Sequence, residues 1–173
     1  MSKAYIGIGS NIDPERNITS AIQMLRTRVR VTGLSRFYLT EALGRPDSPP
    51  FVNGVIEIDT DLGPRELKFD VLRRIEESLG RVRSSDKYAP RTLDLDIIVY
   101  GDGVVDEPEI AQRAFVAVPL YELAPDLVLP NSGCALADVV GSLDADSMKD
   151  LAEFTRAMRE EITNECRESP ATD

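Results

Sequence analysis

Leu93–Tyr100 reads LDLDIIVY, and this stretch closes the pattern that decides the fold. It is short, rich in branched residues and bounded by polar sequence, so it reads as a strand. Alternation sends Asp94 and Asp96 to one face and Leu93, Leu95 and Ile97 to the other, toward a core. Before it, residues 81–92 form a polar loop with three arginines, a lysine and Pro90. Pro64 opens a helix with Leu67, Val71, Leu72, Ile75 and Leu79 on one face and Gly80 at its end. Phe51–Thr60 alternates as a strand, residues 44–50 (GRPDSPP) are loop, and Val31–Tyr38 reads as another strand. Asp13-Pro14-Glu15 is a helix start, a capping side chain followed by proline, and Ile18, Ala21, Ile22, Leu25 and Val29 continue it. Ala4–Gly9 (AYIGIG) is the first strand. The order is β-α-β-β-α-β, so the expected class is α+β, a ferredoxin-like sandwich. Beyond it the sequence predicts short helices near Val118–Leu123 and Ala135–Leu143, separated by a turn over Ala124–Gly133. A last helix is expected from about Ser147. It aligns Met148, Leu151, Phe154, Met158 and Ile162 for packing against the domain, and residues 168–173 read as frayed.

The chain has 173 residues, with 20 basic and 30 acidic side chains and no histidine. That length supports a core without disulfides. The missing histidine excludes Ser-His-Asp and Cys-His nucleophiles and histidine-bound zinc, and two cysteines cannot make a four-cysteine site. The net charge of −10 argues against nucleic acid and anionic membrane as partners. It is also uneven. Residues 1–101 carry 15 basic and 14 acidic groups, whereas residues 102–173 carry 5 and 16. An anionic ligand therefore suits the first part. Cys134 and Cys166 lack framework spacing, and no apolar run reaches the roughly 18 residues of a membrane span, so the expected location is cytoplasmic.

Two carboxylates at i and i+2 on a strand repel one another unless water or a cation screens them. Asp94 and Asp96 read either as a solvated face or as a hard-cation site, in which Mg²⁺ takes one or two carboxylates and fills its shell with phosphate oxygens and water. The loop before them supplies Arg81, Arg83, Lys87 and Arg91 against one acid, Asp86. Exposed arginines are commonly just solvated, but guanidinium groups also bind phosphate in a bidentate fork. Carboxylates and arginines together point to phosphoryl or diphosphoryl transfer, which needs positioning and charge neutralisation more than a strong base.

Lys87–Ile98 (KYAPRTLDLDII) resembles the signature of the 6-hydroxymethyl-7,8-dihydropterin pyrophosphokinase family. The resemblance extends over AYIGIGSN at Ala4–Asn11, FYLTEALG at Phe37–Gly44, FVN at Phe51–Asn53, IEESLGRVR at Ile75–Arg83 and FVAVPLYELAPDL at Phe115–Leu127. It implies a single pyrophosphokinase-like domain over residues 1–173, with a C-terminal helical extension at about 144–168. It also implies transfer of the β,γ-diphosphate of ATP to the pterin hydroxymethyl group, with release of AMP. Asp94 and Asp96 match carboxylates that hold two Mg²⁺ ions. Arg81, Arg83 and Arg91 match basic residues around the triphosphate, and Tyr88 an aromatic position in that lid; Arg81 and Arg91 join the two aspartates as the catalytic set. Phe51 and Phe115 match rings that sandwich the pterin. Asn53 and Thr40 match side chains at its edge, with backbone from Ala42 and Leu43. Glu76, Ile97 and Arg113 match nucleotide positions, and Gly9-Ser10-Asn11 a loop at the site. Taken alone, Phe51 and Phe115 read as core, Thr40 as a strand end and Glu76 as helix surface.

The chain also departs from the family pattern. Members usually carry a Pro-His segment between the two signature regions. Here Gly101–Arg113 reads GDGVVDEPEIAQR, which is shorter, acidic and free of histidine. A proline common after Thr40-Glu41 is Ala42 here. The alternative expectation is therefore a divergent pterin- or nucleotide-binding relative with weak or altered transfer. The expected partners are the two small molecules, and the expected state is a monomer or weak homodimer.

Overall fold

A computed structural model describes residues 1–168. Seven strands form one antiparallel sheet: β1 (Ser2–Ser10), β2 (Arg30–Leu34), β3 (Tyr38–Thr40), β4 (Phe51–Thr60), β5 (Asp94–Tyr100), β6 (Gly103–Val104) and β7 (Lys149–Asp150). The order is β6-β5-β1-β4-β3-β7, with β2 also pairing with β4. This is the ferredoxin-like arrangement, with β1 and β4 central.

Helices cover both faces. On the first face α1 (Pro14–Arg26), the run Pro64–Ser78 and α7 (Ala152–Glu168) bury Ile6, Ile8, Ile56, Ile58, Leu93 and Leu95. The run Pro64–Ser78 comprises α2 (Pro64–Glu66), a π-helical turn (Leu67–Leu72) and α3 (Arg73–Ser78). The predicted stripe holds there, since Leu67, Val71, Leu72 and Ile75 are all buried. Gly80 stops this run at a positive φ of 83°. Its N–H and that of Arg81 bond back to the carbonyls of Glu77 and Glu76, each at 3.0 Å, the bonding of a Schellman cap.

On the second face α4 (Glu107–Gln112), α5 (Ala114–Leu123) and α6 (Leu136–Ser142) enclose Val55, Ile98, Val99, Ile110, Ala117 and Leu120. Glu107 fastens α4 to the next turn by accepting the Asn131 and Ser132 N–H groups at 2.8 and 2.9 Å.

Four expectations are corrected. Val31–Tyr38 is not one strand. Ser35 exchanges two bonds with Val55, through its N–H at 3.0 Å and its hydroxyl at 2.8 Å. Phe37 then turns its backbone toward α7, donating to Thr155 Oγ1 at 2.9 Å. The pairing resumes as β3. Asp13 does not cap α1 with its side chain. It sits at φ 41°, a left-handed conformation that aspartate tolerates. The helix expected near Val118–Leu123 begins at Ala114 and follows a further helix, α4, because the acidic segment after Asp106 is itself helical. The last helix starts at Ala152, since Lys149 and Asp150 pair with Leu39 and Tyr38 as β7. Met148 therefore precedes it, while Phe154, Met158 and Ile162 pack on the first core as expected. Of the segment expected to fray, Glu168 ends α7, and residues 169–173 lie outside the described residues. Among the described residues, no helix is long and apolar enough to cross a membrane.

Candidate active site

β1 carries glycine at alternate positions, Gly7 and Gly9, and both face the second side of the sheet. Across from them stand Asp96 and Asp94 on β5, and Val55 and Asn53 on β4. A strip of strand without side chains, flanked by taller neighbours, makes a trough. Loops and α4–α5 wall it into a cavity of about 540 Å³. A Cβ on Gly9 would lie 2.6 Å from Asn53 Oδ1, so glycine is what lets Asn53 lean over the floor. Asn53 donates to Thr40 Oγ1 at 2.7 Å, which fixes its amide on the last residue of β3.

Of the residues singled out above, Thr40, Leu43, Phe51, Asn53, Tyr88, Arg91, Asp94, Asp96, Ile97, Arg113 and Phe115 line this one cavity. Phe51 and Phe115 come from β4 and α5, half-buried, with the Arg113 guanidinium 5.8 Å from the Phe115 ring centre. Ala42, Glu76, Arg81 and Arg83 lie outside the wall. Glu76 is not helix surface. It is buried under β5, where it accepts the Leu95 N–H at 2.8 Å, Arg81 Nη1 at 2.5 Å and Arg83 Nη2 at 2.7 Å. Burial pushes its carboxyl above the usual range, despite the Leu95 N–H and Arg81, which pull it down.

Arg81 Nη1 also reaches Asp94 Oδ1 at 2.5 Å, and Arg91 Nη1 reaches Asp94 Oδ2 at 2.6 Å. Both Asp94 oxygens are thus engaged by guanidinium groups. Asp96 differs. Among the described residues it has no hydrogen-bond or ion-pair partner. Although open to the cavity, its carboxyl is pushed up to about 6. The surrounding protein is the first cause, followed by the charges of Asp94, Glu76 and Glu109.

That shift has a signed consequence. The folded protein binds this proton near pH 6 and the unfolded chain only near 3.8. The group therefore adds stability as pH falls through that window, and the contribution is lost as pH rises through about 6. In metal-free protein, Asp96→Asn is expected to flatten the pH dependence of urea unfolding in that window. An unchanged slope contradicts the shift.

Among the described residues, no three carboxylate or thiol side chains surround one point. Asp94 and Asp96 are the two side chains that could serve as protein ligands to a divalent cation here. The unbalanced Asp96 charge fits one that draws its other ligands from phosphate and water.

The rim is cross-linked. The Tyr88 ring lies against Gly44, and Arg45 pairs with Asp86. These contacts join the 41–50 and 81–92 loops above the cavity. Sequence reasoning missed Glu41, Ile98, Asp106, Glu109 and Ile110 as lining residues. Alternation puts Ile98 on the side of Asp94 and Asp96, and a β-bulge adds Val99 to it. β1 and β5 slip between Tyr5 and Ile6, so Ile98 and Val99 both join the second core. Asp106 and Glu109 are acidic groups of the short segment folded as α4. Glu109 Oε1 holds Arg113 Nη1 at 2.6 Å.

A family model described as 7,8-dihydro-6-hydroxymethylpterin-pyrophosphokinase matches residues 5–125. The chain is similar to 2-amino-4-hydroxy-6-hydroxymethyldihydropteridine pyrophosphokinases from three bacteria. It is 40% identical to that of Pseudomonas aeruginosa over 141 residues, covering 76% of this chain and 86% of that one. For Haemophilus influenzae the figures are 40% over 142 residues, 76% and 88%. For Synechocystis they are 37% over 155 residues, 84% and 78%.

Proposed function

From the premise that the chain belongs to the 7,8-dihydro-6-hydroxymethylpterin-pyrophosphokinase family, we propose that it is a Mg²⁺-dependent enzyme moving diphosphate from ATP to 6-hydroxymethyl-7,8-dihydropterin, with release of AMP. Family membership makes it an ATP-dependent diphosphotransferase of folate synthesis. The observation that carries the finer reading is one cavity holding Asp94, Asp96 and Arg91 together with Phe51, Asn53 and Phe115. We read residues 1–173 as one catalytic domain, with α7 as its extension, working in the cytoplasm.

The substrate hydroxyl oxygen attacks the β-phosphorus of ATP. A new O–P bond forms, and the bond from that phosphorus to the α,β-bridging oxygen breaks. The bridging oxygen leaves on AMP, and the hydroxyl proton passes to solvent. Phe51 and Phe115 offer apolar faces to the flat pterin, and Asn53, pinned by Thr40, offers its amide to the ring edge. Backbone near Ala42 and Leu43 completes that edge. Asp94 and Asp96 would hold Mg²⁺, which when bound neutralises phosphate charge and lowers the pKa of the attacking hydroxyl. Arg81 and Arg91 keep Asp94 in place and present positive charge where charge builds on the transferring group. Arg83, Lys87 and Tyr88 close over the triphosphate, and Ile97 and Arg113 lie along it; Glu76 acts from beneath by holding Arg81 and Arg83.

The test is direct. Purified protein given ATP, Mg²⁺ and the dihydropterin is expected to release AMP, measured by mass spectrometry. No AMP, or ADP alone, refutes the reading. Gly9→Ala is expected to push Asn53 aside and weaken pterin binding by roughly tenfold, the scale of about one hydrogen bond, with the melting temperature nearly unchanged. Calorimetry showing native affinity contradicts the role of Asn53.

One observation favours a second reading. Glu109 occupies Arg113 and, with Asp106, puts negative charge on the wall of the same cavity, which opposes a triphosphate. A binding protein with weak transfer follows from that. Tight pterin binding without turnover supports it, and robust turnover eliminates it.

A further inference from the structure

Among the described residues, three cations line the cavity: Lys87, Arg91 and Arg113. Arg91 is taken by Asp94, and the Lys87 ammonium rests 4.9 Å from the exposed Tyr88 ring at the rim. Arg113 answers a carboxylate outside the aspartate pair. Its Nη1 donates to Glu109 Oε1 at 2.6 Å. Its backbone is fixed at the break between α4 and α5. There its N–H bonds to the Glu109 carbonyl at 3.1 Å, and its own carbonyl accepts the Val116 and Ala117 N–H groups, each at 3.0 Å. Glu109 is equally well placed. Asp106 accepts its N–H at 3.1 Å, Glu107 ties α4 to Asn131 and Ser132, and Ile110 is buried. What remains free to move is the Arg113 side chain, which is 45% exposed.

We infer that Glu109 is an internal stand-in for phosphate: its carboxylate holds Arg113 in the empty cavity, and the triphosphate must displace it to take that guanidinium. The inference rests on the proposed function, and it assigns the effect of the acidic wall to one exchange of partners rather than to net charge. A guanidinium fork fits a carboxylate and a phosphate alike, so N–H groups spent on Glu109 are not offered to the nucleotide. Both side chains of the pair are more than a third exposed, where water screens the attraction. The exchange therefore costs a few-fold in affinity and does not block binding. Glu109 acts through Arg113, as a positioning residue, and sets how much ATP the enzyme needs without entering the chemistry.

The test follows AMP release by the full chain as ATP is varied, at saturating Mg²⁺ and dihydropterin, in the native protein, Glu109→Gln, Arg113→Ala and the double variant. Glu109→Gln is expected to lower the KM for ATP about fivefold, the upper end for an exposed ion pair. Its kcat is expected to stay within about twofold, the pattern of a change in ground-state binding alone. Arg113→Ala is expected to raise the KM, and adding Glu109→Gln to it is expected to change nothing further. Charge acting through space gives the same gain with and without Arg113, and that result overturns the inference. So does a Glu109→Gln KM that stays level or rises, a change confined to kcat, or an Arg113→Ala variant with native KM. If circular dichroism shows Arg113→Ala unfolded, Arg113→Gln is measured in its place against the same outcomes. Calorimetry with α,β-methylene ATP and Mg²⁺ repeats the comparison without turnover. If the native protein releases no AMP, the functional reading falls, while the exchange at Arg113 is still decided by these affinities. A native protein that does not bind the nucleotide overturns both.

Discussion

Asp96→Ala is expected to cut Mg²⁺-dependent AMP release by about 10³-fold or more, the scale of losing a principal electrostatic group at a reacting centre, while the melting temperature stays level or rises. The two halves of this expectation come from one arrangement. Asp94 shares its oxygens with Arg81 and Arg91, whereas Asp96, among the described residues, faces the cavity without a hydrogen-bond or ion-pair partner and beside like charges. Above about pH 6, where it is ionised, this carboxylate contributes nothing to the fold that alanine removes. Under the proposed function it would offer a place for a cation. Titrating the native protein and the variant with Mg²⁺ while following AMP checks the first half, and thermal unfolding in chelator checks the second. A fall of several degrees shows that Asp96 is structural. Retained turnover shows that Asp94 suffices.

Glu76→Ala is expected to have the largest effect on stability, a loss of about 3–5 kcal/mol, or roughly 10 °C in melting temperature. Its side chain is 3% exposed and bonds to Arg81 and Arg83. Truncation leaves Arg81, itself only 12% exposed, with Asp94 as its one remaining carboxylate, and strands the buried Leu95 N–H. Glu76→Gln keeps an acceptor for that N–H and is expected to fall between alanine and the native protein. Urea unfolding of the three proteins measures the series. If alanine unfolds at the native midpoint, the network does not hold β5 to α3.

Glu76 also shows where sequence reasoning stops. A glutamate beside Ile75 on an amphipathic helix reads as surface, and nothing local says otherwise. Its burial is decided by Leu95, 19 residues later in the chain. The β5 face was legible for the opposite reason: strict alternation over Leu93–Ile97 sorts carboxylates from core by itself. That rule fails two residues on, where the bulge turns Ile98 and Val99 to one side. Val31–Tyr38 looks continuous because its break lies in the bonds Ser35 makes with Val55. The helix α5, AFVAVPLYEL, is apolar nearly all round and holds Pro119. It therefore lacks the one-faced period that would have marked its full length. The cavity floor was in plain view as glycines two apart in AYIGIG, but only pairing with Asn53 and the two aspartates gives that spacing its meaning.

Along the order β6-β5-β1-β4-β3-β7 the sheet ends in strands of two residues, Gly103–Val104 and Lys149–Asp150, while β2 forms a further edge beside β4. A long unpaired edge is a template on which another chain can add strand upon strand. Here one border offers a glycine and a valine beside a turn. The other offers an exposed lysine and aspartate, whose charges burden any incoming strand. β7 thus does more than lead into the last helix. By lying along Tyr38 and Leu39 it withholds the border of β3 from intermolecular pairing. A chain shortened before Lys149 would bare that border, and its first symptom is expected to be aggregation.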